Sequence, residues 1–382
     1  MYPNLYFVFR DWFGVEWNGL RFVNSFGFFV AIAFIAAAMV LTAELKRKQR
    51  EGLLQYEDEK ITVGQPASPL ELIVNFLLGF LLGYKIIGAF ITDSPLAANP
   101  QDFIFSLEGS WPAGVLVGFL FAGLKWSEKN KQKLAKPEER VIRIWPHDRV
   151  GDIVIYAAIF GFAGAKIFDN LENWDRFIKD PIGNLFSASG LTFYGGLICA
   201  ALAIWWYARK HKIGIWHLND AAAPALMLAY ALGRIGCQVS GDGDWGIVNL
   251  KPKPMSWMPD WLWSYRYPHN VNKEGIAIPD CDWGEYCTIL KDPVYPTPLY
   301  EILTCLVLFL IIWAVRKSFK VPGTLFGFYL ILNGLERFFI EKIRVNTKYE
   351  SLPFQPTQAE LIAFFLVISG LFLLIYLPKR KR

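Results

Sequence analysis

Long apolar runs limit what this chain can fold into more than any other feature. Between residues 22 and 377 they recur, separated by short charged clusters. Each is roughly 17–25 residues long, the length of helix that crosses a bilayer's hydrocarbon core. Nine are readable, at about 22–43, 70–92, 111–126, 151–169, 193–208, 218–233, 298–315, 322–341 and 358–377. With 54% hydrophobic and 16% aromatic residues, the chain is too apolar for an ordinary soluble domain. The expected fold class is an all-α polytopic integral membrane protein, with residues 1–382 forming a single membrane domain.

The basic residues orient the spans. KRKQR (46–50), KWSEKNKQK (125–133), RKHK (209–212), RKSFK (316–320) and PKRKR (378–382) all fall on one side, which holds 23 of the 39 Lys and Arg. The positive-inside rule makes that side cytoplasmic, so the N-terminus is expected outside and the C-terminus inside. An odd number of spans satisfies both ends. The first apolar run lacks a basic leader and is followed by KRKQR, so it reads as a retained helix rather than a cleaved signal. Cys199 and Cys305 lie in spans as small apolar fillers. Cys281 and Cys287 lie in an outer loop, where an oxidising compartment would permit a structural disulfide. Zinc-like Cys/His spacing, HExxH and the P-loop pattern are all missing, so neither metal nor cofactor chemistry is expected.

Residues 71–86 and 152–167 repeat at an offset of 81, sharing Gly83/Gly164, Lys85/Lys166 and Ile86/Ile167. FSLEG (105–109) falls on FSASG (186–190) in the same register. The pattern is a duplicated helical hairpin, with 70–126 as the extra copy. Only the second copy keeps a tyrosine and paired glycines at its entrance, LTFYGG (191–196). GFLLG (79–83) and GVLVG (114–118) read as helix-packing motifs. The segment 240–296 reads as an extracytoplasmic loop or cap. Its Trp257, Trp261, Trp263, Tyr265 and Tyr267 suit either a membrane interface or an ordinary folded loop.

An ionisable group at membrane depth costs roughly 2.5–3.5 kcal/mol on insertion scales, so such groups are paired or functional. In NGLERFFIEKIR (333–344), Asn333, Arg337, Glu341 and Arg344 share one helical face. Arg234 falls at the same outer end of another span, in ALGRIGCQVSGDGDWG (231–246). Two arginines at one depth repel unless an anion or carboxylates lie between them, and guanidinium forks match phosphate. The inference is an anion site, most simply for a phospholipid headgroup. Gly233, Gly236, Gly241 and Gly243 would let backbone amides approach the same anion. A helix end that snorkels to the interface is the plainer alternative.

With these residues in view, the chain resembles the prolipoprotein diacylglyceryl transferase family of bacterial membranes. The family signature G-R-x-G-N-F-x-N-x-E-x-x-G is similar to GRIGCQVSGDGDWG. F-H-G-G-L-I-G is similar to FYGGLICA (193–200), and H-P-(S/T)-Q-L-Y-E to YPTPLYE (295–301). F-R-x-x-x-E-x-x-R is similar to ERFFIEKIR (336–344), and the start of the final helix to PTQAE (356–360). Arg234, Gly246, Tyr300, Glu301, Arg337, Glu341 and Arg344 hold. Tyr194 stands for the family histidine, Cys237 or Gln238 and Ser240 for the asparagines, Asp242 or Asp244 for the glutamate. Asn333 and Phe26 each stand for a tyrosine. The family's seven spans become nine, and the extra hairpin accounts for two.

The resemblance implies transfer of diacylglyceryl from phosphatidylglycerol to the lipobox cysteine of a prolipoprotein signal peptide. The product is a thioether, and glycerol phosphate leaves. It implies a bacterial cytoplasmic (inner) membrane enzyme, multi-pass, with its active site facing the extracytoplasmic leaflet. Its partners would be membrane lipids and prolipoproteins, with no nucleic acid. The catalytic residues implied are Arg234, Arg337, Tyr194 and Glu341. The substrate-binding residues implied are Gly195, Gly196, Asp220, Gly233, Asp242, Asp244, Gly246, Tyr300, Glu301, Asn333 and Arg344. A phenol near its ordinary pKa of about 10 is a poor base, so Tyr194 is expected to orient lipid or phosphate. Thiol deprotonation is left to the arginine field, Glu341 or an outer-loop aspartate. The lost histidine also admits a non-catalytic lipid-binding relative. A transporter is disfavoured because the tandem repeat gives both copies one orientation, where inverted halves need two.

Overall fold

The computed structural model describes residues 1–92, 103–104, 106–187, 190, 192–346, 349 and 354–380. Phe105 of the first repeat, Ala188, Ser189 and Leu191 of the second, and the last two residues of the basic tail lie outside the described residues. The main helices are α1 Leu5–Phe13, α2 Ser25–Arg50, α3 Pro69–Leu81, α4 Trp111–Lys131 and α5 Val150–Glu172. They continue with α6 Phe193–Lys210, α7 Ile215–Ser240, α8 Thr297–Val315, α9 Thr324–Glu341 and α10 Gln358–Arg380. A wider turn over Leu82–Ile87 prolongs α3 to Ile91.

A helix therefore forms at each place where the apolar runs predict one. Six segments are long and apolar enough to cross a membrane: Ser25–Arg50, Pro69–Ile91, Pro146–Glu172, Ile215–Ser240, Thr297–Val315 and Gln358–Lys379. The other three, α4, α6 and α9, are less apolar; α9 carries Glu336, Arg337 and Glu341. The protein is thus an all-α membrane protein.

One boundary corrects the sequence reading. The apolar run 218–233 was expected to give way to a glycine loop, yet α7 continues through Arg234, Gly236 and Cys237 to Ser240. No proline interrupts RIGCQVS, and the stop comes only at Gly241, whose φ of 65° is left-handed. Gly233 and Gly236 are helical, so their amides lie within the helix and do not form an anion-binding loop.

Helix α7 is central. Its most extensive contact is with α2, and its opposite side meets α8 and α9. Ala221, Ala223, Ala225 and Ala231 are buried along it, small enough to let neighbouring backbones approach. At the end remote from Arg234, Asp220 accepts hydrogen bonds from Gly323 N (2.9 Å) and Phe326 N (3.0 Å), capping α9, and lies 3.5 Å from Lys48 Nζ. Glu44, also buried there, pairs with Arg47 at 2.9 Å and Arg316 at 2.6 Å.

The two hairpins are built alike. Helix α3 packs on α4, and α5 on α6. A side chain at Gly83 would strike Ala113 O, and one at Gly164 would strike Gly195 O and Cys199. Lys85 donates to Ser106 O (2.5 Å) and Glu108 O (2.7 Å). Lys166 reaches Ser187 Oγ and Gly190 O, each at 3.4 Å. Each intramembrane lysine thus caps the carbonyl-rich turn of its own hairpin. At the base of the first hairpin, β1 Glu57–Val63 and β2 Glu138–Ile144 pair antiparallel.

Residues 241–296 form a folded cap with a two-residue ladder, β3 Ile276–Ala277 against β4 Thr288–Ile289. Cys281 and Cys287 form a disulfide. Trp283, between them in sequence, stacks on Phe7 of α1 at 4.2 Å, and Asp282 pairs with Arg10 at 3.1 Å. The aromatic stretch divides: Tyr267 is buried in the cap core, while Trp257 and Trp261 are exposed.

Candidate active site

Three arginines meet at one end of the bundle. Arg234 lies on the penultimate turn of α7, Arg337 one turn before the end of α9, and Arg344 just beyond it. Left alone, these charges would drive the helix ends apart. Glu301, on the second turn of α8 and fully buried, holds them together. Its carboxylate lies 3.1 Å from Arg234 Nε, 3.4 Å from Arg337 Nη1 and 3.6 Å from Arg344 Nη1. It also accepts a hydrogen bond from Tyr230 OH at 2.9 Å. Opposite charges at this separation, away from water, interact far more strongly than at an exposed surface.

Two further carboxylates complete the set. Asp244 bridges Arg234 and Arg344, one oxygen to each. Glu341 lies 3.0 Å from Arg337 and accepts from Asn346 Nδ2 (2.6 Å) and Thr357 Oγ1 (2.7 Å). Three guanidinium groups thus pair with three carboxylates, and a fourth, buried Glu336, lies close to Glu301, Arg337 and Arg234 without a salt bridge of its own among the described residues. Glu301 is sealed at 0% side-chain exposure, but Asp244 retains 31%. Asp244 sits on a loop entered through Gly241 and Gly243, whose positive φ values of 65° and 93° glycine adopts without strain. Burial raises the pKa of Asp244, but Arg234 and Arg344 outweigh it and hold the carboxyl below its ordinary range. Burial and the Asp244 carboxylate push Asp242, two residues earlier, upward.

The sequence-predicted residues sort into those gathered here and those placed elsewhere. Arg234, Arg337, Glu341, Glu301, Arg344 and Asp244 converge. Tyr194, half-buried at the start of α6, lies near enough to interact with Arg337, Glu341 and Arg344. Asn333 is one turn before Arg337 on the same face. Gly233 faces open space. Gly246 brings its strand against the end of α9: Gly246 pairs with Arg344, and Ile247 N donates to Ile343 O at 2.8 Å. A side chain at Gly246 would collide with that carbonyl.

Three expectations are redirected. Gly195 and Gly196 pack α6 on α5, against Phe168 and Gly161, so their missing side chains serve helix contact. Tyr300 OH donates to Leu262 O at 2.8 Å, tying α8 to the cap rather than reaching the arginines. Asp220 is fourteen residues before Arg234 on one helix, about 21 Å away at 1.5 Å per residue. Sequence reasoning missed Tyr230, Thr297, Asn346 and Thr357. Tyr230 was within reach, because it precedes Arg234 by four residues and so shares its face. TQAE (357–360) is also a capping-box pattern: Glu360 N donates to Thr357 Oγ1 at 3.2 Å. Thr297 Oγ1 meets Asp244 O at 2.6 Å only through the path of the loop.

The donor atoms of Cys237, Asp242 and Asp244 lie within 4.8 Å of one another. Two guanidinium groups already hold Asp244, and they oppose a cation at that spot. The arrangement suits an anion instead. Arg344 Nη1 is buried without a hydrogen-bond acceptor.

Comparison with known families assigns the chain. Residues 111–376 match the family model described as prolipoprotein diacylglyceryl transferase. The chain belongs to this family. Relatives named phosphatidylglycerol–prolipoprotein diacylglyceryl transferase include one from Leptospira interrogans, 29% identical over 64% of this chain and 75% of its own length. One from Chlorobaculum tepidum is 29% identical over 62% and 77%. One from Actinobacillus pleuropneumoniae is 28% identical over 70% and 88%. Every converging residue, from Tyr194 to Arg344, lies within the stretch that matches the family model.

Proposed function

We propose that this chain is a transferase that moves diacylglyceryl from phosphatidylglycerol to the lipobox cysteine thiol of a prolipoprotein, forming a thioether and releasing glycerol phosphate. The observation that carries this reading is the convergence of Arg234, Arg337 and Arg344 around buried Glu301. The leaving group is an anionic phosphate. Preorganised guanidinium donors stabilise the charge that grows on it as the C–O bond breaks. Asp244 occupies the fork between Arg234 and Arg344 that matches a phosphate, and it is the most exposed of the three carboxylates there. The phosphate takes its position, and the glycine-flanked loop lets it withdraw. Tyr194 faces Arg337 and Arg344 from α6, suited to orient the lipid.

The site lies at the extracytoplasmic leaflet of the bacterial inner membrane, with nine spans, the N-terminus outside and the C-terminus inside. Two observations support this orientation. The basic clusters flank the opposite helix ends, and the Cys281–Cys287 disulfide sits in the cap at the site end, as suits an oxidising compartment outside the cytoplasm. The prolipoprotein would present its lipobox cysteine at this same end.

The test is complementation of a bacterium depleted of its own transferase, with lipid modification of a tagged lipoprotein read by mass. Wild-type chain should restore modification. Arg234→Ala and Arg337→Ala should insert normally and restore none. A wild-type chain that is expressed, inserted and inert would sink the reading.

A further inference from the structure

The first stretch of the cap exposes apolar side chains that the arginine cluster does not use. Ile247, Val248, Leu250, Met255, Trp257 and Trp261 are all exposed, Trp257 at 73% and Leu250 at 74%. Single exposed apolar residues are ordinary on a folded surface, but a contiguous run of them marks an interaction surface. The later part of the cap carries charge on its surface instead. Lys273, Glu274, Asp280, Asp282 and Glu285 are exposed there, and Lys273 pairs with Glu285 at 2.6 Å.

The apolar stretch turns polar groups inward. Asn249 is buried; its Nδ2 donates to Trp263 O at 2.8 Å and its Oδ1 accepts from Lys251 N at 3.2 Å. Trp263 Nε1 donates to Lys251 O at 2.9 Å. Met258 N donates to Met255 O and Leu262 N to Pro259 O, each at 3.1 Å. Pro252, Pro254 and Pro259 have no N–H to satisfy. Backbone groups paired in this way do not depend on water, which suits a segment at the edge of a bilayer. The position of the stretch is fixed by Tyr300, on the first turn of α8, whose OH donates to Leu262 O at 2.8 Å. Helix α8 is one of the segments long and apolar enough to cross a membrane. Below Tyr300, Leu303, Val307 and Leu310 follow at helical spacing and are exposed. The apolar stretch of the cap therefore continues the lipid-facing side of a span.

We infer that residues 247–261 are a membrane-docking surface of the cap, seated in the headgroup layer at the arginine end of the bundle. The partner is a phospholipid surface. Tryptophan rings favour this layer, where one end is apolar and the other wet. Lys251 is exposed, and a lysine stem lies along apolar surface while its ammonium meets headgroup phosphates. Asp260 is the one acid in the stretch, and Lys253 pairs with it at 2.8 Å, so it presents no unpaired carboxylate to those phosphates. The same stretch begins one residue after Gly246, which pairs with Arg344. Docking thus holds the edge of the arginine cluster against the bilayer. The inference goes beyond the transferase reading and does not rest on it.

The experiment uses the full chain carrying Cys199→Ala, in nanodiscs of phosphatidylglycerol and phosphatidylcholine. Cys237 and Cys305 are buried and Cys281 is bonded to Cys287, so an added surface cysteine takes the label. A nitroxide is placed at Trp257→Cys or, as the water-facing reference, at Glu274→Cys. Power-saturation spin resonance then compares collisions with oxygen, which concentrates in the bilayer, and with a nickel chelate, which stays in water. The oxygen-to-nickel ratio at 257 should exceed the ratio at 274 severalfold. Equal ratios would overturn the inference. A label at 257 shielded from both reagents and broadened by a second label would give the face to another copy of the chain, and would overturn it too. Should Trp257→Cys fail to accumulate, Leu250→Cys takes its place with the same two readings. No step measures lipid transfer, so failure of the transferase reading leaves this test intact.

Discussion

Glu301 shows how one residue can set the energetics of a site. Three guanidinium groups lie within 3.6 Å of it, and it has no exposure to water. Removing one partner from a buried ion pair costs about 3–5 kcal/mol, because the remaining charge stays buried without compensation. Glu301→Gln keeps the shape and removes the charge. It should therefore lower the melting temperature of the detergent-solubilised protein and abolish lipid transfer. Phosphatidylglycerol should raise the variant's melting temperature more than the wild type's, since its phosphate restores a negative charge among the arginines. A variant that melts with the wild type would mean that the arginines converge without needing Glu301. At this scale much was legible. Arg234, Arg337, Glu341 and Arg344 announce themselves as charges at membrane depth, because such placement is costly without a partner. Glu301 and Asp244 entered through motif resemblance. Thr297 and Asn346 carried no signal, because their contacts depend on how loops return to the bundle.

Among the elements, α7 both corrects and extends the sequence reading. Its glycines at 233 and 236 look like a loop in sequence, yet a helix tolerates isolated glycines when its neighbours pack well. Here α2 does so: a side chain at Gly236 would press on Phe26. The same helix separates two roles that motif order places side by side. Arg234 belongs to the arginine–carboxylate cluster, while Asp220 clamps the start of α9 at the other end. Sequence proximity within one helix says nothing about shared function once the separation is about four turns. Asp220→Ala should therefore act through assembly. The two α9 amides lose their acceptor, and Lys48 loses its counter-charge, so less folded protein should be recovered and it should melt lower. Activity per folded molecule should stay within about threefold of wild type, and the KM for phosphatidylglycerol should not move. A raised KM with normal recovery would return Asp220 to the substrate site. The paired lysines follow the same logic. Lys85 and Lys166 mark the repeat in sequence, but each caps the turn of its hairpin, a role that only the folded loops reveal.

For the whole molecule, the question is which helices are extra to the family framework. The family match begins at residue 111, at the start of α4, which would make α4 the first framework helix and α2 an addition. Packing argues the reverse. Helix α2 makes the most extensive contact of all with α7, which bears Arg234, whereas α4 packs chiefly on α3. The match takes in α4, while the α2–α7 packing favours α2, so removing the α3–α4 hairpin discriminates between them. The α3–α4 hairpin is joined to the rest mainly at its two ends. Glu57 pairs with Arg149 at 2.9 Å and lies 3.3 Å from His211, while at the other end Phe90 packs on Trp17 and Phe22. Glu57 and Ile144 face each other across the β1–β2 ladder, so their backbones are about 5 Å apart and a short linker can close the gap. Replacing residues 57–144 with a few Gly and Ser should leave a chain that inserts and transfers diacylglyceryl within about tenfold of the full protein, measured by lipoprotein modification. If the shortened chain inserts but is inactive, α4 carries part of the catalytic framework and the family match marks its true start. Activity retained without α4, together with loss on disrupting the α2–α7 contact, would assign the role of first framework helix to α2.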